Sequence, residues 1–96
     1  MKAKTVKQVL EAARWMLENV GWVKYQYVAK VNGKYVGLCA FGALEMVEAE
    51  NNHLVQAQDR LREEMDGSII RFNDRPDITK RMVINAFKRA IKNGSQ

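Results

Sequence analysis

Val6, Val9, Leu10, Ala13, Met16, Leu17 and Val20 recur at intervals of three and four residues, an apolar stripe that predicts an amphipathic helix of four turns. Thr5-Val6-Lys7-Gln8 ahead of it has the form of a capping box, in which the Thr hydroxyl accepts from the first turn and Gln8 reaches back. Gly21 is suited to the left-handed position that ends a helix. From Trp22 the pattern changes to aromatic and β-branched residues, through Val23, Tyr25, Tyr27 and Val28 to Val31. Asn32-Gly33 and then Lys34-Tyr35-Val36 follow, and Asn-Gly between two such runs predicts a β-hairpin. Lys24, Gln26, Lys30 and Lys34 mark its wet face. A lone hairpin is marginal in water, so it must lie against a helix.

The run Gly37 to Val47 is apolar almost all round, and its length and Ala/Leu/Met content predict a buried helix. Gly42 inside that helix implies close approach of another backbone. Asn51 or Asn52 caps a third helix with Leu54, Ala57, Leu61 and Met65 inward, closed by Asp66-Gly67. Ser68 opens a short segment, Ile69 to Phe72, whose pattern fits a helical turn and an extended strand equally. A polar turn over Asn73 to Asp77 leads to Thr79, the N-cap of a last helix that buries Met82, Val83, Ala86, Phe87, Ala90 and Ile91, with Ile78 stapled onto Val83. Pro76 bars a helix from entering this turn from the left. The expected architecture is α+β and mostly helical: about four helices with one hairpin packed on the first, in a single domain over residues 1–96.

Ninety-six residues at 47% hydrophobic content suffice for one modest core. One cysteine, Cys39, excludes an intramolecular disulfide, and no Cys/His pairs stand at zinc spacing. No apolar block of signal-peptide or membrane-spanning type is present, so the expectation is a soluble, cytoplasmic chain. The net charge of +5 hides a segregation. Residues 1–35 hold seven basic and two acidic residues, 36–66 hold two basic and seven acidic, and 67–96 hold seven basic and two acidic. Such a pattern either complements itself within the fold or presents separate basic and acidic surfaces to different partners.

The candidate chemistry is sparse. Asn73 and Asp74, beside Arg75, could grip a ligand, and they are equally what a tight turn needs to satisfy backbone N–H groups. Cys39 opens the small-residue helix, where a thiol pKa could be lowered. However, the only histidine, His53, belongs to a polar loop, and nucleophilic catalysis lacks a base. Glu45, Glu48, Glu63 and Glu64 have the spacing of solvated helix faces. The basic set Arg71, Arg75, Lys80, Arg81, Lys88, Arg89 and Lys92 is the nucleic-acid candidate, able to track phosphates without any motif that reads bases.

Three blocks carry a family likeness: Gly21-Trp22, Leu38-Cys39-Ala40-Phe41-Gly42-Ala43-Leu44, and Phe72-Asn73-Asp74 leading to Thr79. Together they resemble a family of small domains of unknown function from actinobacteria, other bacteria and their phages. Its members read Gly-Trp, then Cys-Ala-x-Gly-Ala-Leu, then Trp-Asn-Asp before an Arg-Thr-x-x-x-Val helix. Phe72 stands where Trp is common, and the hairpin matches loosely. The resemblance implies a fold and a bacterial or phage setting, and no chemistry.

The resulting expectation is a non-enzymatic accessory protein that binds another protein, in the phage setting a modulator of host machinery. A nucleic-acid module using the basic last helix, with weak binding, stands second. A small-ligand or thiol-dependent site around Trp22, Cys39, Asn73, Asp74 and Thr79 stands third. No catalytic residue, metal or cofactor is expected, and oligomeric state is open.

Overall fold

A computed structural model describes residues 2–93. Helix α1 spans Val6–Asn19 and begins as its sequence predicts: the Gln8 N–H donates to Thr5 Oγ1 at 3.1 Å. The reciprocal bond reaches one residue further back than a standard capping box, since the Lys4 N–H donates to Gln8 Oε1 at 2.7 Å. Val6, Val9, Leu10, Ala13 and Leu17 are buried along one face, and Met16 and Val20 pack on its border.

Strands β1 (Val28–Val31) and β2 (Lys34–Leu38) form one antiparallel hairpin. Asn32 and Gly33 turn it with φ of 51° and 80°, both left-handed, as the Asn-Gly dipeptide allows. Pairing runs from Val31 with Lys34 and Lys30 with Tyr35, then shifts by one residue so that Ala29 faces Gly37 and Val28 faces Leu38. The hairpin is shorter than predicted on its first side. Trp22 to Tyr27 lie outside β1, and Tyr25 has a φ of 68° that no strand tolerates. Trp22 instead runs parallel to Leu38, whose N–H donates to the Gly21 carbonyl while its own carbonyl accepts from Val23, both at 3.0 Å.

The helix expected over 37–47 is divided. Gly37 and Leu38 complete β2, Cys39 is the N-cap, and helix α2 runs Ala40–Met46. The expected close approach at Gly42 is present: a methyl group there would overlap the Tyr27 carbonyl. That carbonyl accepts from the Cys39 N–H at 3.0 Å, so it is pinned against the helix start. Helix α3 covers Asn51–Glu64 and is capped by Glu50, without a side-chain bond, so neither Asn51 nor Asn52 is the N-cap. His53 is the third residue of this helix rather than part of a polar loop. Asp66 and Gly67 end the region in left-handed geometry.

Residues Ile69–Asp74 form helix α4, which settles the segment left open by its pattern and makes five helices among the described residues. Ser68 caps it, accepting from the Arg71 N–H at 3.3 Å. Asn73 and Asp74 therefore close a short helix and do not form a turn. Arg75, before Pro76, is extended at φ −62°, ψ 139°, as a residue preceding proline prefers. Helix α5 spans Lys80–Asn93, with Thr79 Oγ1 accepting from the Met82 N–H at 3.3 Å. Its buried face is Val83, Ile84, Ala86, Phe87 and Ala90, while Met82 is 38% exposed. The buried face differs from the predicted stripe at its start, Ile84 being inward and Met82 at the border, because packing against α1 and α3 decides which residues turn in.

Helix α1 lies at the centre, packed against α2, α3 and α5, and β2 touches α1 and α2. The architecture is α+β and mostly helical, with the hairpin against α1 and α2. The core joins Leu10, Leu17, Leu38, Leu44, Leu61, Met65, Val83 and Phe87. Helix α4 contributes Ile69 and Phe72 to it.

At Gly42 the obstacle to a side chain is backbone that cannot rotate aside. Gly42→Ala should therefore lower stability by about 2–3 kcal/mol, the range for overpacked sites. Gly33→Ala, where a methyl group meets only solvent, should cost about 1 kcal/mol for its left-handed backbone alone. Urea unfolding of both variants checks the order. Equal losses would mean that Tyr27 does not press on α2.

Candidate functional site

The residues singled out in the sequence converge at one place. Asn73 is fully buried, although it is the most polar group in the interior. Its Oδ1 accepts from Trp22 Nε1 at 2.6 Å and from the Ala40 N–H at 2.9 Å. Its Nδ2 donates to the Val23 carbonyl and to Asp74 Oδ1, both at 3.0 Å. All four hydrogen-bonding positions of the amide are used, and the partners leave only one orientation of the group. Two N–H groups need an acceptor on one side, and two oxygens need a donor on the other.

The Trp22 indole, the Ala40 N–H and the Val23 carbonyl have no other hydrogen-bond partner among the described residues. Ala40 is the first residue of α2, and its N–H is among the free donors of a helix start. Cys39 takes another, its Sγ accepting from the Gly42 N–H at 3.2 Å. Asp74 Oδ1 also accepts from the Tyr25 N–H at 2.9 Å, which holds Tyr25 in its left-handed conformation. Lys24 reaches over the Trp22 ring, 5.6 Å from its centroid, and its Nζ donates to the Arg75 carbonyl. The loop 22–25 is thereby tied to the end of α4 by four hydrogen bonds.

Cys39 is buried and free. Burial pushes its thiol above the usual range; the Gly42 N–H acts in the opposite direction, and Asp74 adds a smaller upward push. The group is a neutral thiol, and the nearby Asp74 carboxylate further disfavours its ionisation. Thr79 caps α5 and is not part of this cluster.

Beside the buried amide lies a half-open cavity of about 420 Å³ lined by Tyr25, Gln26, Tyr27, Cys39, Ile70 and Asp74. Sequence reasoning identified Cys39 and Asp74 and missed Tyr25, Gln26, Tyr27 and Ile70. The tyrosines were assigned to a strand, and the only signal against that was the departure from strict alternation after Trp22.

The basic set does not form one surface. Arg75 bridges Asp66 and Asp77, each at 3.1 Å, and sits over the Phe72 ring. Its guanidinium holds the Asp77 carboxyl below the usual range. Arg89 pairs with Glu64 at 2.9 Å. Lys80, Arg81 and Lys88 line a shallow cleft of about 390 Å³ with Glu18, Ile84 and Asn85. Among the described residues Arg71, Lys80, Arg81, Lys88 and Lys92 have no carboxylate in ion-pair range. Self-complementarity between the acidic middle and the basic end is thus limited to the Glu64 and Asp66 pairs.

Residues 1–93 match the sequence model of a family described as of unknown function, DUF6197. No curated protein and no solved structure matches the chain.

Two expectations follow from the buried cluster. Asn73→Ala strands the Trp22 indole, the Ala40 N–H and the Val23 carbonyl, and should cost about 3–5 kcal/mol, since each buried unpaired group costs roughly 1–3 kcal/mol. Asp74→Asn, which keeps an oxygen for the Tyr25 N–H, should cost under about 1 kcal/mol, one ordinary bond's worth. Thermal and urea unfolding check both; a harmless Asn73→Ala would remove the amide from its structural role. For Cys39, a bulky maleimide should label the native protein far more slowly than the unfolded chain. Cys39→Ala should be less stable than Cys39→Ser, because the serine hydroxyl can accept from the Gly42 N–H in place of the cap sulfur and alanine cannot. Fast native labelling would contradict a buried, neutral thiol.

Proposed function

We propose that this chain, which belongs to the DUF6197 family, is a non-enzymatic accessory protein that binds another protein through its hairpin and the loop before it. The observation that carries this is the exposure of Tyr25, Tyr27, Val31, Tyr35 and Val36, with Tyr25 at 71% and Tyr27 at 58%. Single exposed apolar residues are ordinary, whereas five between residues 25 and 36 give the hairpin and its leading loop an unusual share of exposed apolar side chains. Tyrosine suits an interface because it offers a large, stiff surface at little entropic cost. Here it is carried on backbone already held by Asn73 and Asp74, so ordering the loop costs binding little. The buried, neutral state of Cys39 supports a role without nucleophilic chemistry. A bacterial or phage origin, and a modulating role in host machinery, belong to the proposal and rest on the motif likeness of the Gly-Trp, Cys-Ala-x-Gly-Ala-Leu and Asn-Asp blocks. Placement in the cytoplasm is part of the same proposal.

A second reading, a weak nucleic-acid module, is favoured by the absence of carboxylate partners for Lys80, Arg81, Lys88 and Lys92 among the described residues. The two readings separate in one comparison. In nuclease-treated bacterial lysate, the wild-type protein should retain a partner that the double variant Tyr27→Ser, Tyr35→Ser loses and the double variant Arg81→Glu, Lys88→Glu keeps. Binding to DNA or RNA should be sequence-blind and vanish near physiological salt. Phosphate-tracking proteins lose on the order of 10³-fold in affinity between about 50 and 200 mM salt. Submicromolar nucleic-acid binding at about 150 mM salt that the lysine variant abolishes would reverse the order of the two readings.

A further inference from the structure

We infer that the cavity beside Asn73 receives an arginine side chain of the partner polypeptide, with Asp74 as its counter-charge and Tyr25 and Tyr27 as its walls. This rests on the protein-binding reading and specifies what the partner must present. Four observations lead to it.

Asp74 uses only one of its two carboxylate oxygens. Oδ1 accepts from the Tyr25 N–H and from Asn73 Nδ2, whereas Oδ2 has no hydrogen-bond or ion-pair partner among the described residues. Asp74 is half-buried in the lining of the cavity. A carboxylate held rigidly by one oxygen, with the other directed to no protein group, is complementary to a donor from outside.

The neighbouring charged groups leave Asp74 without an ion-pair partner among the described residues. Lys24 and Arg75 are nearby, and Asp66, Asp74 and Asp77 oppose them. Arg75 is engaged by both Asp66 and Asp77, and Lys24 is turned onto the Arg75 carbonyl and the Trp22 ring. Asp74 is the carboxylate of this group that no cation reaches.

The remaining lining selects the type of cation. Two tyrosines, an isoleucine, a neutral thiol and the uncharged amide of Gln26 line the cavity with the acid. A planar, weakly hydrated guanidinium stacks on aromatic rings while donating to a carboxylate, whereas a lysine ammonium loses more hydration on entering such a site. Tyr25, finally, is a bulky residue at a φ of 68°. That backbone is disfavoured for a residue with a side chain, and it is maintained by the same carboxylate. Strain retained by a fold commonly marks a place where side-chain position matters.

The test uses N-acetyl-arginine amide titrated into the full-length protein, followed by amide chemical shifts. N-acetyl-lysine amide and N-acetyl-citrulline amide, the neutral isostere of arginine, serve as comparisons. Saturable shifts should centre on Tyr25, Gln26, Tyr27, Ile70 and Asp74, with millimolar affinity as befits a single side chain. Citrulline amide should bind at least about 10-fold more weakly, because the charge-assisted bond is lost. Asp74→Asn preserves the oxygen needed by Tyr25 and presents an amide to the cavity, so it should weaken arginine binding by a similar factor with the fold intact. Ile70→Lys places a tethered cation at a residue that is 38% exposed, and should also abolish the shifts. Absence of saturable shifts, equal binding of citrulline, or full binding by either variant would overturn the proposal. Should any of these occur while the tyrosine variants still lose the lysate partner, the arginine site falls and the protein-binding surface stands.

Discussion

The side chain of Asn73 ties together three parts of the chain that lie far apart in sequence. It joins the end of α4 to the start of α2 and to the loop after α1, through four bonds with no spare capacity. A buried amide is costly unless each of its groups is paired, and it then admits only one arrangement of its neighbours. The rest of the region follows from that requirement. Trp22 must bring its indole N–H to the amide, so the loop 22–25 cannot continue as a strand, and Tyr25 takes the left-handed conformation that Asp74 stabilises.

The same constraint accounts for the small residues of α2. With the loop anchored on Asn73, the Tyr27 carbonyl comes down over the first turn of α2, where it accepts from Cys39 and leaves no room for a side chain at Gly42. Cys39 fills the remaining space as a small apolar cap whose sulfur accepts one helix N–H. In sequence these residues were candidates for a small-ligand or thiol-dependent site, yet their first task is to seal a junction between elements. What is left facing outward is Tyr25, Tyr27, Ile70 and one oxygen of Asp74, a surface whose position is set by the buried bonds beneath it.

Charge plays a different part. The alternation of basic, acidic and basic segments does not fold onto itself to any great extent: Arg89 with Glu64 and Arg75 with Asp66 are the links that join the acidic middle to the basic end. Exposed pairs of this kind contribute little stability. The segregation therefore contributes little to holding the fold together.

Much of the architecture was legible in the sequence because it is decided locally. The period of α1, the Thr5 cap, the Asn32-Gly33 turn, the Asp66-Gly67 stop and the Thr79 cap each depend on a few adjacent residues, and the close approach at Gly42 could be inferred from the cost of glycine in a helix. Other features depended on contacts across about fifty positions. Asn73 and Asp74 read as a turn from their own chemistry, and their actual partners, Trp22, Val23 and Tyr25, could not be seen from either segment alone. The strand expected from Trp22 onward was overruled for that reason: β-propensity is a weak preference, and four satisfied bonds to a buried amide outweigh it. Cys39 and Asp74 were visible as candidates in the sequence. That they share a cavity with Tyr25, Tyr27 and Ile70, and that one oxygen of Asp74 has no partner among the described residues, only the tertiary structure decided, because only packing determines which polar atoms find partners within the chain.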